Sequence, residues 1–215
     1  MTASIGTKPG ALTIRAARAD DADRAVPLIH SSGPTAFDYV FADARADAQT
    51  FLRRAFVDGH GEFGWRNHVV AERDGRLLAV GSGFARSDMR GFTLAAARQI
   101  IGHYGWRAAG PVLRGLRTEH IIRPPAESEF YIGHVAVAPT ARGQGIGSAL
   151  MSWFATEARR RSLPRLVLDV AADNPRAQAL YTRLGFRVVT TRIAQLANAH
   201  GAVPTQHRMM RAAAN

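Results

Sequence analysis

The stretch Tyr131–Leu150, YIGHVAVAPTARGQGIGSAL, decides the fold of this chain. A β-rich run opens it, an apolar helix-forming run closes it, and Gly143, Gly145 and Gly147 stand between the two. Strand, turn and helix therefore follow one another with no spare residues. Glycine lets the backbone adopt positive φ and lets a ligand approach without a Cβ in the way. The consecutive amides up to Ser148 are predicted to point at one anion, a phosphate or pyrophosphate, at the positive end of the helix.

The glycine spacing narrows the class of phosphate ligand. A Walker loop requires Lys-Ser or Lys-Thr after its last glycine, whereas Ser148-Ala149 stand here. A dinucleotide fingerprint requires a glycine at the sixth position from Gly143, and that position is Ser148. Both nucleotide patterns fail. A tight glycine turn that binds no ligand is the remaining alternative.

The sequence here resembles the GNAT superfamily of N-acetyltransferases. The family signature Arg/Gln-x-x-Gly-x-Gly/Ala appears as RGQGIG at 142–147, after VAV at 135–137 and Pro139. A second block follows in the family's order, with LDV at 168–170, NPRA at 174–177, ALY at 179–181 and LGF at 184–186. The resemblance is close over residues 130–189 and looser over residues 12–84. Two ordered and correctly spaced blocks are much more specific than a lone Gly-x-Gly.

The resemblance implies an α/β fold with a mixed, splayed central β-sheet flanked by helices. Local patterns agree, and the strand–turn–helix–strand unit over residues 130–170 indicates parallel pairing. Asp74-Gly75 predicts a tight hairpin turn between strands at 68–72 and 77–84. We expect residues 1–10 to form a flexible tail and residues 11–215 a single domain. A helical insertion is expected at about 87–127, between the third and fourth strands.

The resemblance also assigns roles in a reaction that uses acetyl-CoA as cosubstrate. The glycine loop would hold the CoA pyrophosphate, and the strand before it would pair with the pantetheine arm. An N–H near Val137 would polarise the thioester carbonyl, and Asn174 would touch the CoA arm. The implied cofactor-binding residues are Val135, Ala136, Val137, Arg142, Gly143, Gln144, Gly145, Ile146, Gly147, Ser148, Asn174, Ala177 and Tyr181.

Tyr181 is the expected acid. It falls where the family often places a tyrosine hydroxyl against the departing sulfur, and a phenol can donate a hydrogen bond or the proton itself. The alternative is a core tyrosine on the apolar face of its helix.

The general base is where this sequence departs from the family. Some relatives carry Glu or His at two positions of the central strand where this chain has Tyr131 and Gly133. Strand alternation puts Glu129 on the same face, so we expect Glu129 to take the proton through water, with Glu127 a weaker substitute. A solvated strand-end carboxylate is the alternative. The same alternation puts His134 on the opposite face, which predicts a packed or surface histidine.

Composition limits the class of protein. The 215 residues carry 28 basic and 17 acidic side chains, a net charge of +11 that is spread along the chain and would attract an anionic cofactor. No basic-aromatic motif accompanies this charge, which argues against direct nucleic-acid binding. The chain has no cysteine, and its scattered histidines show no metal-ligand spacing, so we predict no metal. No secretory signal opens the first ten residues and no apolar run suits a membrane span, so we expect a cytoplasmic protein.

Three segments are expected to select the acceptor: Ser31–Asp47, 87–127 and Ala197–Pro204. The insertion at 87–127 either lines a pocket, through His103, Tyr104, Trp106 and His120, or serves as a packing or dimer element. The predicted function is transfer of an acetyl or other short acyl group to a primary amine, by direct attack in a ternary complex. The acceptor is a small molecule or a protein amine, and a homodimer is possible. The alternative is an acyl-CoA-binding sensor without turnover.

Overall fold

A mixed seven-stranded sheet with helices on both faces forms the centre of the fold, which confirms the predicted fold class. The computed structural model describes residues 10–213, so the predicted tail lies outside the described residues except for Gly10. The strands of the sheet run in the spatial order β1-β2-β3-β4-β5-β9-β6. They are β1 (Thr13–Ala16), β2 (His68–Arg73), β3 (Arg76–Ala85), β4 (Glu129–Val137), β5 (Arg165–Ala171), β6 (Arg187–Arg192) and β9 (Gln206–Ala212), while β7 (Leu196–Ala197) pairs with β8 (Ala202–Val203).

Helices cover both faces of this sheet. They are α1 (Ala22–Ser31), α2 (Pro34–Phe41), α3 (Ala48–Asp58), α4 (Met89–Tyr104), α5 (Ala109–Glu119), α6 (Ile146–Arg160) and α7 (Pro175–Arg183). Helices α1 to α3 pack on one face, and α6 packs on the other. Helix α2 was not predicted, although Pro34 at its first turn is a favourable start because its ring presets a helical φ. Helices α4 and α5 form the connection from β3 to β4.

The β4–β5 pair is the parallel contact of the sheet, and it is short. It joins Glu129 to Arg165, Phe130 to Leu166 and Tyr131 to Val167. Beyond these pairs β4 continues along β3 and β5 continues along β9. Residues 132–137 and 168–171 therefore diverge, and a wedge-shaped gap opens between them.

A β-bulge in β4 changes which way its side chains point. The register with β3 shifts between Val80, which pairs with Ala136, and Ser82, which pairs with Gly133. His134 lies inside the shift with φ +53°. An extra residue in one strand breaks the two-residue alternation. The predicted parity of His134 is therefore wrong, and its side chain lies on the face covered by α1–α3, against Phe63 and His68.

Two glycines of β3 let α6 approach the sheet. A Cβ at Gly83 would lie 2.6 Å from the Phe130 ring and 3.0 Å from the Phe154 ring, and a Cβ at Gly81 would lie 3.0 Å from Phe154. Phe154 is fully buried in α6. The glycines thus form a notch that seats this helix.

A buried carboxylate links the first strand to the first helix. Asp21 is 1 % exposed and accepts from Arg15 Nη1 at 2.8 Å, Arg15 Nη2 at 2.9 Å and the Arg18 amide at 2.8 Å. The hydrogen bonds from Arg15 lower the pKa of Asp21. Arg15 also donates to Glu72 of β2, so one guanidinium joins three elements.

Asp21→Asn should lower the free energy of unfolding by about 2 kcal/mol at neutral pH, because the partly buried Arg15 guanidinium loses one of its two carboxylate partners and keeps only Glu72. A lowered folded-state pKa stabilises the fold above the ordinary carboxyl pKa of about 4, and the stabilisation is lost as pH falls below it. The difference between the wild type and the variant in urea unfolding should therefore shrink below about pH 4.

Asp23→Asn is the matched control. The Asp23 side chain is 77 % exposed and pairs with Arg53 on the surface. Its loss should change the unfolding free energy by less than about 0.5 kcal/mol. Equal effects of the two substitutions would contradict the role given to Asp21.

Candidate active site

The glycine loop has the backbone that the sequence predicts at two of its three glycines. Gly143 and Gly145 have φ of +79° and +77°, and a Cβ at either position would meet no atom within 4 Å. Gly147 differs because it lies inside α6, where a Cβ would come 3.1 Å from Leu180 of α7. The first two glycines therefore shape an open loop, whereas the third lets two helices pack closely.

The amides of this loop lack protein acceptors. In the hydrogen bonds of residues 10–213, the amides from Gly143 to Ser148 meet no carbonyl, and Ala149 is the first to do so, donating to Gly145 O at 3.0 Å. Side chains support the loop: Arg142 Nε donates to Val137 O at 3.2 Å, and Gln144 Oε1 accepts from Arg73 Nη1 at 2.9 Å. Unbonded N–H groups at the positive end of a 15-residue helix form an anion-binding cradle.

The gap between β4 and β5 begins at Tyr131 and Val167 and opens toward this loop. Val135 and Val137 pack with the α6 core, whereas Ala136 packs with the core on the opposite face. The β4 edge over residues 132–137 has no partner in β5. Free strand edges pair readily with an extended ligand that offers amides of its own.

A hydrogen bond crosses the base of the gap. Tyr131 Oη of β4 donates to Asp169 Oδ2 of β5 at 3.2 Å. Burial raises the pKa of Asp169, and the nearby Arg208 opposes that shift. Arg192 Nη1 lies 3.9 Å from Asp169 Oδ1. This polar group marks where the strands separate.

Tyr181 lies in the core between α7 and the sheet, and it is 7 % exposed. Burial alone raises the pKa of Tyr181 to about 12. The phenol is therefore protonated at neutral pH and able to donate. Asn174 caps α7, where its Oδ1 accepts the Ala177 amide at 3.1 Å, so its amide nitrogen is the part left for another ligand.

Glu129 lies at the start of β4, where β4 and β5 are still paired. It is 8 % exposed, and its Oε2 accepts the Ala126 amide at 2.8 Å. Arg208 Nη2 lies 4.0 Å from the same oxygen. The carboxylate thus closes a turn and faces a guanidinium.

His134, which the sequence predicts to be packed or on the surface, packs against His68 on the α1–α3 face, a pairing that sequence reasoning missed. His134 Nδ1 lies 3.1 Å from His68 Nε2 and 3.2 Å from Ser82 Oγ. Burial, and then the neighbouring His134, lower the pKa of His68 to about 3. Glu62 Oε1 lies 3.5 Å from His134 Nε2. Only the bulge places His134 here, and Gly133 before it is the one local hint of an irregular strand.

The three segments expected to select the acceptor meet around α2. Asn198 Nδ2, in the β7–β8 hairpin, donates to Tyr39 O at 2.9 Å, and Arg114 Nε of α5 donates to Val40 O at 2.9 Å. Tyr104 packs in the core, whereas Trp106 is 85 % exposed, so these two predicted pocket residues do not share a pocket wall.

Two further observations concern the described part of the chain. Among residues 10–213, no group of three or more histidine, aspartate or glutamate side chains is arranged to hold a metal ion. Within the same range, none of the helices combines the length and apolar character that a membrane crossing requires.

Comparisons with known proteins agree with this geometry. The model of the acetyltransferase (GNAT) family matches residues 35–186. A mycothiol acetyltransferase of Arthrobacter sp. (strain FB24) is 31 % identical over 163 residues, which cover 71 % of this chain and 47 % of the relative. A [ribosomal protein bS18]-alanine N-acetyltransferase of Escherichia coli (strain K12) is 41 % identical over 64 residues, covering 30 % and 43 %. The chain thus spans less than half the length of these curated relatives.

A solved structure shares the fold. A Salmonella typhimurium protein, solved with its cofactor acetyl-CoA, superposes with a TM-score of 0.55 at 17 % identity and covers 96 % of each chain. The family model matches most of the chain and includes β4, the glycine loop, α6 and β5. The chain belongs to the GNAT acetyltransferase family.

Proposed function

We propose that the protein transfers an acetyl group from acetyl-CoA to a primary amine, by direct attack in a ternary complex. The observation that carries this proposal is the juxtaposition of two unsatisfied backbone surfaces. Unbonded amides over 143–148 lie next to the unpaired β4 edge over 132–137. A diphosphate suits the first surface, and an amide-bearing arm suits the second. Acetyl-CoA carries both, in that order.

The residues present fit this cosubstrate. Gly143 and Gly145 leave open space in front of the loop, so a diphosphate meets no side chain there. In the proposal the loop amides hold the diphosphate, and the edge carrying Val135 and Val137 pairs with the pantetheine arm. An N–H near Val137 polarises the thioester carbonyl. The relatives' names, a mycothiol acetyltransferase and a ribosomal-protein-alanine N-acetyltransferase, support acetyl transfer and leave the acceptor open.

Tyr181 is the proposed acid. A thiolate must be stabilised or protonated as it leaves, and a phenol that stays protonated at neutral pH can do both. The chain has no cysteine to carry an acyl group, which favours direct attack by the amine over a thioester on the protein.

Thiol release with a panel of primary amines and acetyl-CoA tests the function. Turnover with at least one amine is expected, together with a saturable heat of acetyl-CoA binding at moderate salt. Binding without turnover would identify a sensor, and the absence of both would refute the proposal.

Gly145→Ala should weaken acetyl-CoA binding about tenfold. A left-handed backbone is unfavourable for alanine by about 1–2 kcal/mol, so the loop backbone should relax and turn its amides away from the diphosphate. Calorimetric titration measures the effect. Gly75→Ala is the matched control: Gly75 has φ +70° in the β2–β3 turn, and its Cβ would also meet no atom within 4 Å. It should carry the same strain and keep the wild-type affinity. Equal affinity losses would contradict the cradle.

Tyr181→Phe should lower kcat about 100-fold and leave the acetyl-CoA dissociation constant within about twofold, because the lost hydroxyl acts on the leaving sulfur. Since burial raises the pKa of Tyr181 to about 12, the wild-type rate should show no loss from this group up to about pH 10. Stopped-flow thiol detection measures both quantities. An unchanged kcat would remove Tyr181 from the chemistry.

A further inference from the structure

His134 occupies a backbone conformation that strands avoid. Three non-glycine residues in the described range have positive φ, namely Asp74, His134 and Ser162. Asp74 and Ser162 lie in turns, whereas His134 lies inside β4. Such a conformation is unfavourable by about 1–2 kcal/mol and persists where the surrounding structure enforces it. Here it directs the imidazole onto the α1–α3 face.

The tautomer of His134 follows from its buried neighbour. His68 is 1 % exposed, and its Nδ1 lies 2.9 Å from Gly64 O. A carbonyl oxygen can only accept, so His68 Nδ1 carries the proton. Burial keeps His68 neutral, and its Nε2 is therefore an acceptor. His134 Nδ1, 3.1 Å away, must donate to it. Neutral His134 is left with its lone pair on Nε2.

That lone pair faces a carboxylate. His134 Nε2 lies 3.5 Å from Glu62 Oε1, and the Glu62 side chain is 38 % exposed, so it lies on the solvent side. Two acceptors this close repel each other unless a donor group lies between or beside them. An ammonium supplies several N–H donors and a positive charge.

Aromatic rings also border this pair. The ring centroids of Phe37 and Phe63 lie 5.7 Å and 5.2 Å from that of His134. Phe63 stacks on the imidazole with an interplanar angle of 23°, and such an apolar wall excludes water from the reacting atoms. Phe37 belongs to α2, around which the three acceptor segments meet.

We propose that this cluster binds the ammonium group of the acceptor and that His134 Nε2 is the general base of the transfer. Glu62 attracts the ammonium, and His68 is a positioning residue that fixes the tautomer. The inference rests on the proposed function and deepens it. It assigns the base to His134 rather than Glu129, whose carboxylate already closes a turn beside Arg208.

His134 Nε2 takes one proton from the ammonium, and the free amine attacks the thioester carbonyl carbon. A C–N bond forms and the C–S bond breaks. Tyr181 gives its phenolic proton to the leaving sulfur, and it regains a proton from the nitrogen of the attacking amine. His134 returns its proton to water, so the products are an amide, a free thiol and one proton.

The pH dependence of kcat/KM tests the base. The titratable groups next to His134 are Glu62, from the loop before β2, and His68 of β2, while the His30–Asp38 pair lies behind Phe37, which contacts both the His30 and the His134 rings. The wild-type kcat/KM should vary less steeply with pH below neutrality than that of a variant without the base. His134→Asn keeps a side chain that tolerates positive φ and removes the base. It should lower kcat/KM about 100-fold at pH 7 and bind acetyl-CoA normally.

The shape of the variant's profile is the sharper readout. Without the base, kcat/KM for His134→Asn should rise about tenfold per pH unit until the pH exceeds the pKa of the acceptor ammonium, because only the free amine reacts. His60→Gln, at a 60 % exposed histidine, and Glu129→Gln should keep the wild-type profile. Glu62→Gln, on the surface, should raise KM for the amine about tenfold with kcat little changed.

Nitrogen NMR of the imidazoles decides the tautomer without turnover. Protonated Nδ1 and bare Nε2 are expected for both His68 and His134 in the ligand-free protein. A protonated Nε2 on neutral His134 would overturn the proposal, as would a wild-type pH profile in His134→Asn. A wild type that binds acetyl-CoA but acetylates no amine refutes the proposed function together with the base. If the wild type acetylates an amine, and Glu129→Gln rather than His134→Asn alters the pH profile, the assignment of the base is refuted and the proposed function stands.

Discussion

Backbone pairing between the parallel strands β4 and β5 ends at Tyr131 and Val167, and the rest of the site depends on this early end. Each strand keeps its other neighbour, so the sheet stays intact while two edges separate inside it. The bulge at His134 increases the local bend of β4. A gap lined by backbone groups therefore opens in the middle of the sheet, at the end where α6 begins.

Short sequence motifs predict much of the fold and of the candidate site. The spacing of Gly143 and Gly145 between a β-rich and a helical run predicts an anion loop, and Asp74-Gly75 predicts the hairpin turn that the structure contains. Both signals are confined to a few consecutive residues. The family resemblance added the splayed sheet, which no single segment encodes.

Features that depend on the register between strands could not be predicted. The alternation rule placed His134 on the wrong face because the bulge arises from pairing with β3, which lies about 50 residues earlier in the chain. His68, His134 and Glu62 come from separate segments and meet only once that register is set. Helix α2 was missed for a different reason: Gly33-Pro34 ends one helix and begins the next, and the pattern suits both. The proposed acceptor site is therefore encoded in long-range contacts.

The notch formed by Gly81 and Gly83 in β3 influences the position of the glycine loop through helix α6. Phe154 rests on Gly81 and Gly83, and it lies eight residues, about 12 Å along the helix, from Ile146 at the start of α6. Any tilt of α6 about the contact between Phe154 and β3 therefore displaces the start of the helix. A tilt of about 5° at the notch moves the loop amides by about 1 Å, a displacement large enough to lower a rate about 100-fold. The placement of the loop amides therefore depends on the absence of a Cβ at Gly81 and Gly83, about 12 Å away along α6.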